Sequence, residues 1–336
     1  MTASSRTSIA RHRFGGTDLI VSEYGLGCAR IGGVFKNDPA DFITLLRAAL
    51  DAGVTFFDTA DMYSQGESET LIGRAFRRRR HEVVITSKAG YVLPSQRRLI
   101  ARIKPLVRPV IKALGISRQH LPSAVRGELA QNFSAAHLTR AIEGSLQRLH
   151  TDYLDLFQLH SPPADVVAPG EWLAALESLK QQGKIRYYGV SCDSVDAAAA
   201  ALTHANVASL QLPINLLERD AVTVLPQAKR QGVGVIAREC LANGLLAKDV
   251  ASLDLGSYVR SAEEGANKAA RIGEYSRVAT AEGCTLPQLA LRYVNGLDGV
   301  SVTLIGVSRL PQLESLLAAG LPSTARPDAR VVPHLA

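Results

Sequence analysis

The stretch "FFDTADMYSQGESETLIG" (56–73) changes character twice. An apolar run, entered at Val54, stops on the carboxylate of Asp58. A phenol follows at Tyr63, and then a polar, helix-like stretch begins. Continuous apolar residues mark a strand buried on both faces, and a helix directly after such a strand is half of a β–α crossover. The stretch therefore predicts one β/α unit with two ionisable groups just past the end of its strand.

Seven further runs of the same kind flank it. They are "LIVSEYGLG" (19–27), "EVVITSK" (82–88), "YLDLFQLH" (153–160), "IRYYGVS" (185–191), "VASLQLP" (207–213), "VGVIARE" (233–239) and "VSVTLIG" (300–306), which with "VTFFD" (54–58) makes eight. Segments of helical periodicity lie between them. "DPADFITLLRAALDAG" opens at an Asp-Pro boundary and stops at Gly53, and "PGEWLAALESLKQQGK" sets Trp172, Leu173, Leu176 and Leu179 on one face before Gly183. "SVDAAAAALTHA", "RDAVTVLPQAKRQG" and "LPQLESLLAAG" behave similarly. Eight strands alternating with helices imply parallel pairing by right-handed crossovers. A closed (β/α)8 TIM barrel and an open doubly wound sheet both satisfy that; the count of eight and the chain length favour the α/β barrel, as a single domain over 1–336. "GLGCARIGG" has its glycines at the wrong spacing for a dinucleotide-binding fingerprint.

One connection is out of scale. Nearly fifty residues separate Lys88 from the helix near His137, where a few are usual. The insertion, 91–135, leaves the third barrel strand at its C-terminal end, so it is expected over the catalytic face as a lid or specificity loop. Its middle mixes apolar and basic residues, and Pro105 and Pro109 argue against one straight helix. The Pro- and Arg-rich "LPSTARPDARVVPHLA" is expected to cross the barrel surface or fray.

Composition bounds the function. With 336 residues and 46% hydrophobic content the chain can bury a large core. It has no apolar run long enough to span a membrane. Its start, "MTASSRTSIARHRFGG", is Ser/Arg-rich without an apolar signal core and reads as a short flexible tail. Of the net charge of +7, much comes from "RRRR" (77–80) and "RRLIARIKPLVRPVIK" (97–112). No base-stacking aromatics interleave with these runs, so a solvated basic face is expected rather than a nucleic-acid partner. Cys28, Cys192, Cys240 and Cys284 show neither paired nor metal-ligand spacing, which predicts reduced thiols, no metal and a cytoplasmic protein.

In a barrel, chemistry collects where the strands end. Strand two ends on Asp58 with Tyr63 in the loop beyond it, strand three on Lys88 and strand four on His160. A phenol is a poor acid at neutral pH, and a nearby ammonium lowers its pKa by stabilising the phenolate. A carboxylate keeps that ammonium charged and placed, and a histidine can orient a carbonyl oxygen. The four form a proton-donating site aimed at a carbonyl: Tyr63 the acid, Lys88 its tuner, Asp58 the partner of Lys88, His160 the orienter.

With these residues assembled, the chain resembles the aldo-keto reductase superfamily over nearly its whole length. "GVTFFDTADMYSQGESETLIGRAF" is similar to the first family signature, "EVVITSKAG" carries the matching lysine, and "SLQRLHTDYLDLFQLHSP" is similar to the second signature. "GKIRYYGVS", "LQLPINLLERD", "GVIARECLANGLL" and "LIGVSRLPQLESLLAAG" follow in family order, and "RHRFGGTDLIVSEYGLG" resembles the hairpin that closes the barrel bottom before strand one.

The resemblance implies NADP(H), with NAD(H) the alternative, bound extended across the barrel mouth, and a small carbonyl or sugar substrate. It implies Gly27, Cys28, Ala29 and Asp58 at the nicotinamide, Ser191 and Gln211 on its carboxamide, Leu241 and Gly244 along the pyrophosphate, and Gly306, Val307, Ser308, Arg309 and Gln312 around the adenosine phosphate. Arg309 is the natural partner of a 2′-phosphate, which a guanidinium grips bidentately. Three positions depart from the family pattern: Cys192 and Leu316 stand where asparagine is frequent, and Arg238, followed by Glu239, stands where an aromatic often stacks on the nicotinamide. A guanidinium plane can stack there too. The rival reading is a redox-sensing or accessory protein that binds NADP(H) with little turnover.

Overall fold

Asp38 heads the first helix, Pro39–Asp51: its carboxylate accepts from the Ala40 amide at 2.9 Å, and Pro39 fills the first turn, where no N–H is needed. Gly53, at φ +101°, then turns the chain toward the next strand. Sequence punctuation of this kind recurs along the chain. Ser134 caps Ala135–Leu149, Ser194 caps Val195–Ala201, and Thr285 makes a capping box with Gln288 at the head of Leu286–Asn295.

The computed structural model describes residues 9–32, 38–92, 129–247 and 262–318. The strands among them are β1 (Arg11–Arg13), β2 (Ile20–Ser22), β3 (Tyr24–Gly27), β4 (Phe56–Asp58), β5 (Val84–Ala89), β6 (Leu154–His160), β7 (Ile185–Ser191), β8 (Ser209–Pro213), β9 (Gly234–Arg238) and β10 (Val300–Ile305). From β3 onward each pairs parallel with the next, and β10 pairs with β3, so the sheet closes into a barrel. All eight apolar runs of the sequence supply barrel strands. The large core lies between strands and outer helices, where Trp172, Leu176 and Leu179 of the expected helical face are buried. No described helix is long and apolar enough to cross a membrane.

Three features depart from the sequence reading. The run 19–27, counted as one strand, divides at Glu23: its first part pairs antiparallel with β1 as the floor hairpin that the family resemblance implies, and only Tyr24–Gly27 enters the barrel. Buried Glu23 holds the division by accepting from Ala10 N (3.3 Å) and Asn295 Nδ2 (3.1 Å). "RDAVTVLPQAKRQG" is a 3-10 turn, Asp220–Val224, followed by a separate short helix, Leu225–Arg230, because Pro226 suits a first turn and not a helix interior. Two helices, Ala262–Ala281 and Leu286–Asn295, occupy the connection from β9 to β10, where the sequence reading names no element.

The hairpin carries Phe14 into the bottom of the barrel. Its fully buried ring stacks on Phe56, centroids 6.1 Å apart, inside a cluster with Leu19, Val21, Leu156, Ile236 and Val302. Burying such a ring contributes about 1.5–3 kcal/mol. Gly234 makes room for it, since a Cβ there would lie 2.4 Å from Phe14 Cε1. The floor is therefore plugged.

At the other end, both margins of the long insertion are tied together. Tyr91 bridges Gln131, Val92 N donates to Ala130 O (2.8 Å), and Asn132 N donates to Gly90 O (2.7 Å). The insertion thus leaves and rejoins the barrel beside β6 on the face where β5 ends. Its interior, 93–128, lies outside the described residues, as does the C-terminal stretch from 319.

Candidate active site

Parallel pairing fixes which residues meet at the mouth. Asp58 lies beside Gly27 and Thr86, Lys88 beside Gln158, and Ser191 beside both His160 and Gln211. Asp58 and Lys88 are almost wholly buried and form an ion pair, Nζ to Oδ1 2.6 Å. Lys88 Nζ also donates to Thr59 O at 2.8 Å, and Gln211 Nε2 donates to Asp58 Oδ1 at 2.7 Å. Ser191 Oγ donates to Gln211 Oε1 at 3.2 Å. A continuous chain Ser191–Gln211–Asp58–Lys88 results, which the sequence reading did not contain; it had separated the first pair, for the carboxamide, from the second. Every polar partner inside a low-dielectric site counts for more than it would in water.

Tyr63 completes the group. Lys88 Nζ lies 5.1 Å from its ring centroid, and the His160 ring meets it edge-on at 5.7 Å. The turn that presents it is unusual: Ser64 and Gln65 lie at φ 51° and 58°, followed by Gly66 at 84°. Left-handed non-glycine residues cost of order 1 kcal/mol each and persist only where the surroundings hold them. Here Ser64 Oγ is tied to Ile31 O at 2.9 Å. Below, the buried carboxylate of Glu69 accepts from Ser87 Oγ (2.6 Å) and Arg148 Nε (2.6 Å), pinning the helix Glu67–Phe76 to the strand that carries Lys88. Periodicity alone cannot tell Glu69 from a surface glutamate, so sequence reasoning missed it. It likewise missed Tyr91, which meets the His160 ring edge-on at 5.0 Å, and Gln131, whose Nε2 donates to Ser161 O at 2.9 Å.

The protonation states follow from burial first. Burial raises the Tyr63 hydroxyl above the ordinary phenol range, and the opposing pull of Lys88 does not overcome it. The sequence expectation of a lowered phenol thus gives way to a phenol that is fully protonated at neutral pH. Burial acts to lower Lys88, but the nearby Asp58 and Tyr63 more than reverse it, and the ammonium is retained. Burial, then the charges of Lys88 and Arg238, push His160 well below the usual imidazole value, and its Nδ1 is buried without a hydrogen-bond partner among the described residues.

The sign of the His160 shift makes a prediction. A depressed folded pKa means the unfolded chain binds the proton more readily, so the native state loses stability as pH falls below about 6.5. In NMR spectra of the folded protein, the His160 ring resonances should stay at their neutral positions from pH 7.5 down through 6; a midpoint near 6.5 would contradict this environment.

The remaining predicted positions line the same rim. Cys28 is fully buried, its amide donating to Asp58 O at 2.8 Å, while Ala29 is exposed and Gly27 partly so. Arg238 stands at the end of β9. Its fork is held by Asp193 and Glu239, and Nη2 donates to Cys192 O at 3.2 Å. Gly244 (φ +98°) and Gly306 have open space where a side chain would project, and Leu241 is half-buried. The Val307 side chain is in the core, so only its backbone can serve a ligand. At the head of the helix Leu310–Ala318, Gln312 Oε1 accepts from Ser308 N (3.0 Å) and Arg309 N (3.2 Å), with Arg309 exposed. Leu316 packs against the core.

Comparison with known proteins adds the following. The family model described as "Aldo/keto reductase family" matches residues 23–325. The oxidoreductase YqkF of Bacillus subtilis is 29% identical over 315 residues, covering 92% of this chain and 90% of that protein. The aldo-keto reductase AFTS1 of Alternaria alternata is 31% identical over 331 residues, covering 91% and 86%. Among solved structures, the holo form of aldo-keto reductase AKR11C1 from Bacillus halodurans superposes with a TM-score of 0.76 at 27% identity, covering 98% of this chain and 96% of that one.

Proposed function

Because the chain belongs to the aldo/keto reductase family of oxidoreductases, we propose that it catalyses NADP(H)-dependent interconversion of a small carbonyl compound and its alcohol, with Tyr63 exchanging the proton at the substrate oxygen. The observation that carries this reading is the buried Asp58–Lys88 pair at 2.6 Å beneath Tyr63, with His160 edge-on beside it. A lysine held charged in a dry site, next to a phenol kept protonated, is suited to one event: release of the phenolic proton as negative charge develops on a carbonyl oxygen.

The bound nicotinamide would supply the hydride. The chain's own residues fit such a cofactor. The open glycines 244 and 306 leave room for backbone approach to a pyrophosphate, and the amides of Ser308 and Arg309 sit at a helix head, where phosphate binds readily. In this structure Gln312 occupies those amides. Gln211 and Ser191 would orient the carboxamide through the donor and acceptor capacity they do not spend on Asp58 and each other. Neutral His160 would steer the substrate oxygen toward Tyr63 without adding a second positive charge. Asp58 would hold the Lys88 ammonium in place rather than exchange protons itself. A hydroxylated aliphatic substrate suits the polar loop around Tyr63 better than a large apolar one.

The test is NADPH oxidation with a panel of aldehydes, ketones and sugars. Steady turnover is expected; cofactor binding without turnover on any of them would favour a sensing or accessory role. Specificity for the 2′-phosphate is assigned to Arg309. A charge-assisted hydrogen bond to phosphate is worth about 1.5–3 kcal/mol, so Arg309→Ala should weaken NADPH binding roughly 10- to 100-fold and leave NADH binding nearly unchanged, measured by fluorescence titration. Equal weakening of both cofactors would remove that assignment.

A further inference from the structure

The run "RRRR" (77–80) does two different things in the fold. Arg80 pairs with buried Asp155 at 2.8 Å and donates to Tyr153 O, and Arg79 pairs with Asp51 (2.6 Å) and Glu82 (2.8 Å). Those contacts take up the neighbouring carboxylates. Arg77 and Arg78 are exposed and have no partner among the described residues; the same holds for Arg74 one helical turn earlier, while Arg47 of the first helix reaches only a backbone oxygen, Ala75 O at 3.2 Å. These four, with Arg79 and Ala75, line one groove of about 590 Å³. It lies at the end of the helix Glu67–Phe76 remote from Tyr63, on the floor side of the barrel and away from the mouth.

Four guanidinium groups without counter-charge around one groove repel one another. Arg74 lies in the last turn of the helix Glu67–Phe76, Arg77 caps its C-terminal end and Arg78 follows in the turn, so the three like charges are crowded at one helix end. No carboxylate lines the groove. A guanidinium fork matches phosphate oxygens bidentately and keeps its charge at any working pH. The lining offers no aromatic ring on which a base could stack. We propose that this groove is a binding site for a linked chain of phosphates, a polyphosphate-type anion with three or more negative charges, separate from the cofactor and substrate site. Free inorganic polyphosphate and the triphosphate of a nucleotide share that chemistry.

The experiment titrates inorganic tripolyphosphate into the full-length protein by calorimetry at low and at physiological salt. Saturable binding at one site per chain is expected, weakening steeply with salt as paired phosphate contacts do. Arg77→Glu/Arg78→Glu should lose about tenfold or more in affinity, while Arg230→Glu/Arg277→Glu, an equal charge change at two exposed, distant positions, should stay within about twofold of wild type. Melting curves confirm that both variants are folded. Equal loss in the two variants, or no saturable binding by wild type, would overturn the site. ATP should bind like tripolyphosphate; ATP binding tenfold tighter would show that the groove reads a nucleoside and overturn the phosphate-chain assignment. Duplex DNA outcompeting tripolyphosphate with the same arginine dependence would make it a nucleic-acid surface and overturn it as well.

Discussion

Tyr63→Phe should abolish turnover while leaving the protein folded and able to bind NADPH. The substitution removes one oxygen from a half-buried ring, so the edge contact with His160 and the packing over Lys88 remain. What is lost is the phenolic proton that burial keeps loaded at neutral pH beside the Lys88 ammonium. Positioned general acids contribute about 10²- to 10⁴-fold, and kcat/KM for carbonyl reduction should fall by that factor with little change in cofactor affinity or melting temperature. Stopped-flow NADPH oxidation, with binding followed by fluorescence, separates these quantities. Retention of more than a tenth of the wild-type rate would move the proton donor elsewhere, to His160 or to water.

Lys88→Met should be more damaging, in stability as well as activity. Asp58 would keep its hydrogen bond from Gln211 but lose the ammonium at 2.6 Å in a site nearly closed to water. Breaking one side of a buried pair costs about 3–5 kcal/mol, because the remaining charge is left uncompensated. The melting temperature should fall by several degrees at neutral pH. Adding Asp58→Asn to Lys88→Met should recover part of that loss, since the orphaned charge is gone, while turnover stays lost. A double variant no more stable than Lys88→Met would mean that the carboxylate is satisfied by other groups and that the pair contributes less to the fold than its burial implies.

The barrel was legible because its strands are buried on both faces, which writes eight nearly unbroken apolar runs into the chain. Asp58, Lys88 and His160 stood out because each terminates such a run with a polar group. What was not legible depends on contacts distant in sequence. Glu23 divides a run only because Asn295 lies beside it. Glu69 is a buried anchor only because Arg148 and Ser87 converge on it. Gly66 announces a left-handed residue, but the two before it, Ser64 and Gln65, share that conformation without being glycine. The Tyr63 phenol was read from its charged neighbour alone, and the structure shows burial to be the larger influence. Nothing in the sequence pairs Arg238 with its two carboxylates, Asp193 from another part of the rim and Glu239 from the next position.

The plug formed by Phe14 and Gly234 sets the traffic through the molecule. A tube open at both ends could load from one side and discharge from the other. This vessel has a single doorway, so whatever reaches Tyr63 must arrive and depart past the same rim. If two ligands share that doorway, the one seated deeper against the wall has to enter first and leave last. Exchange is then a queue rather than two independent equilibria, and crowding at the rim slows arrivals and departures alike.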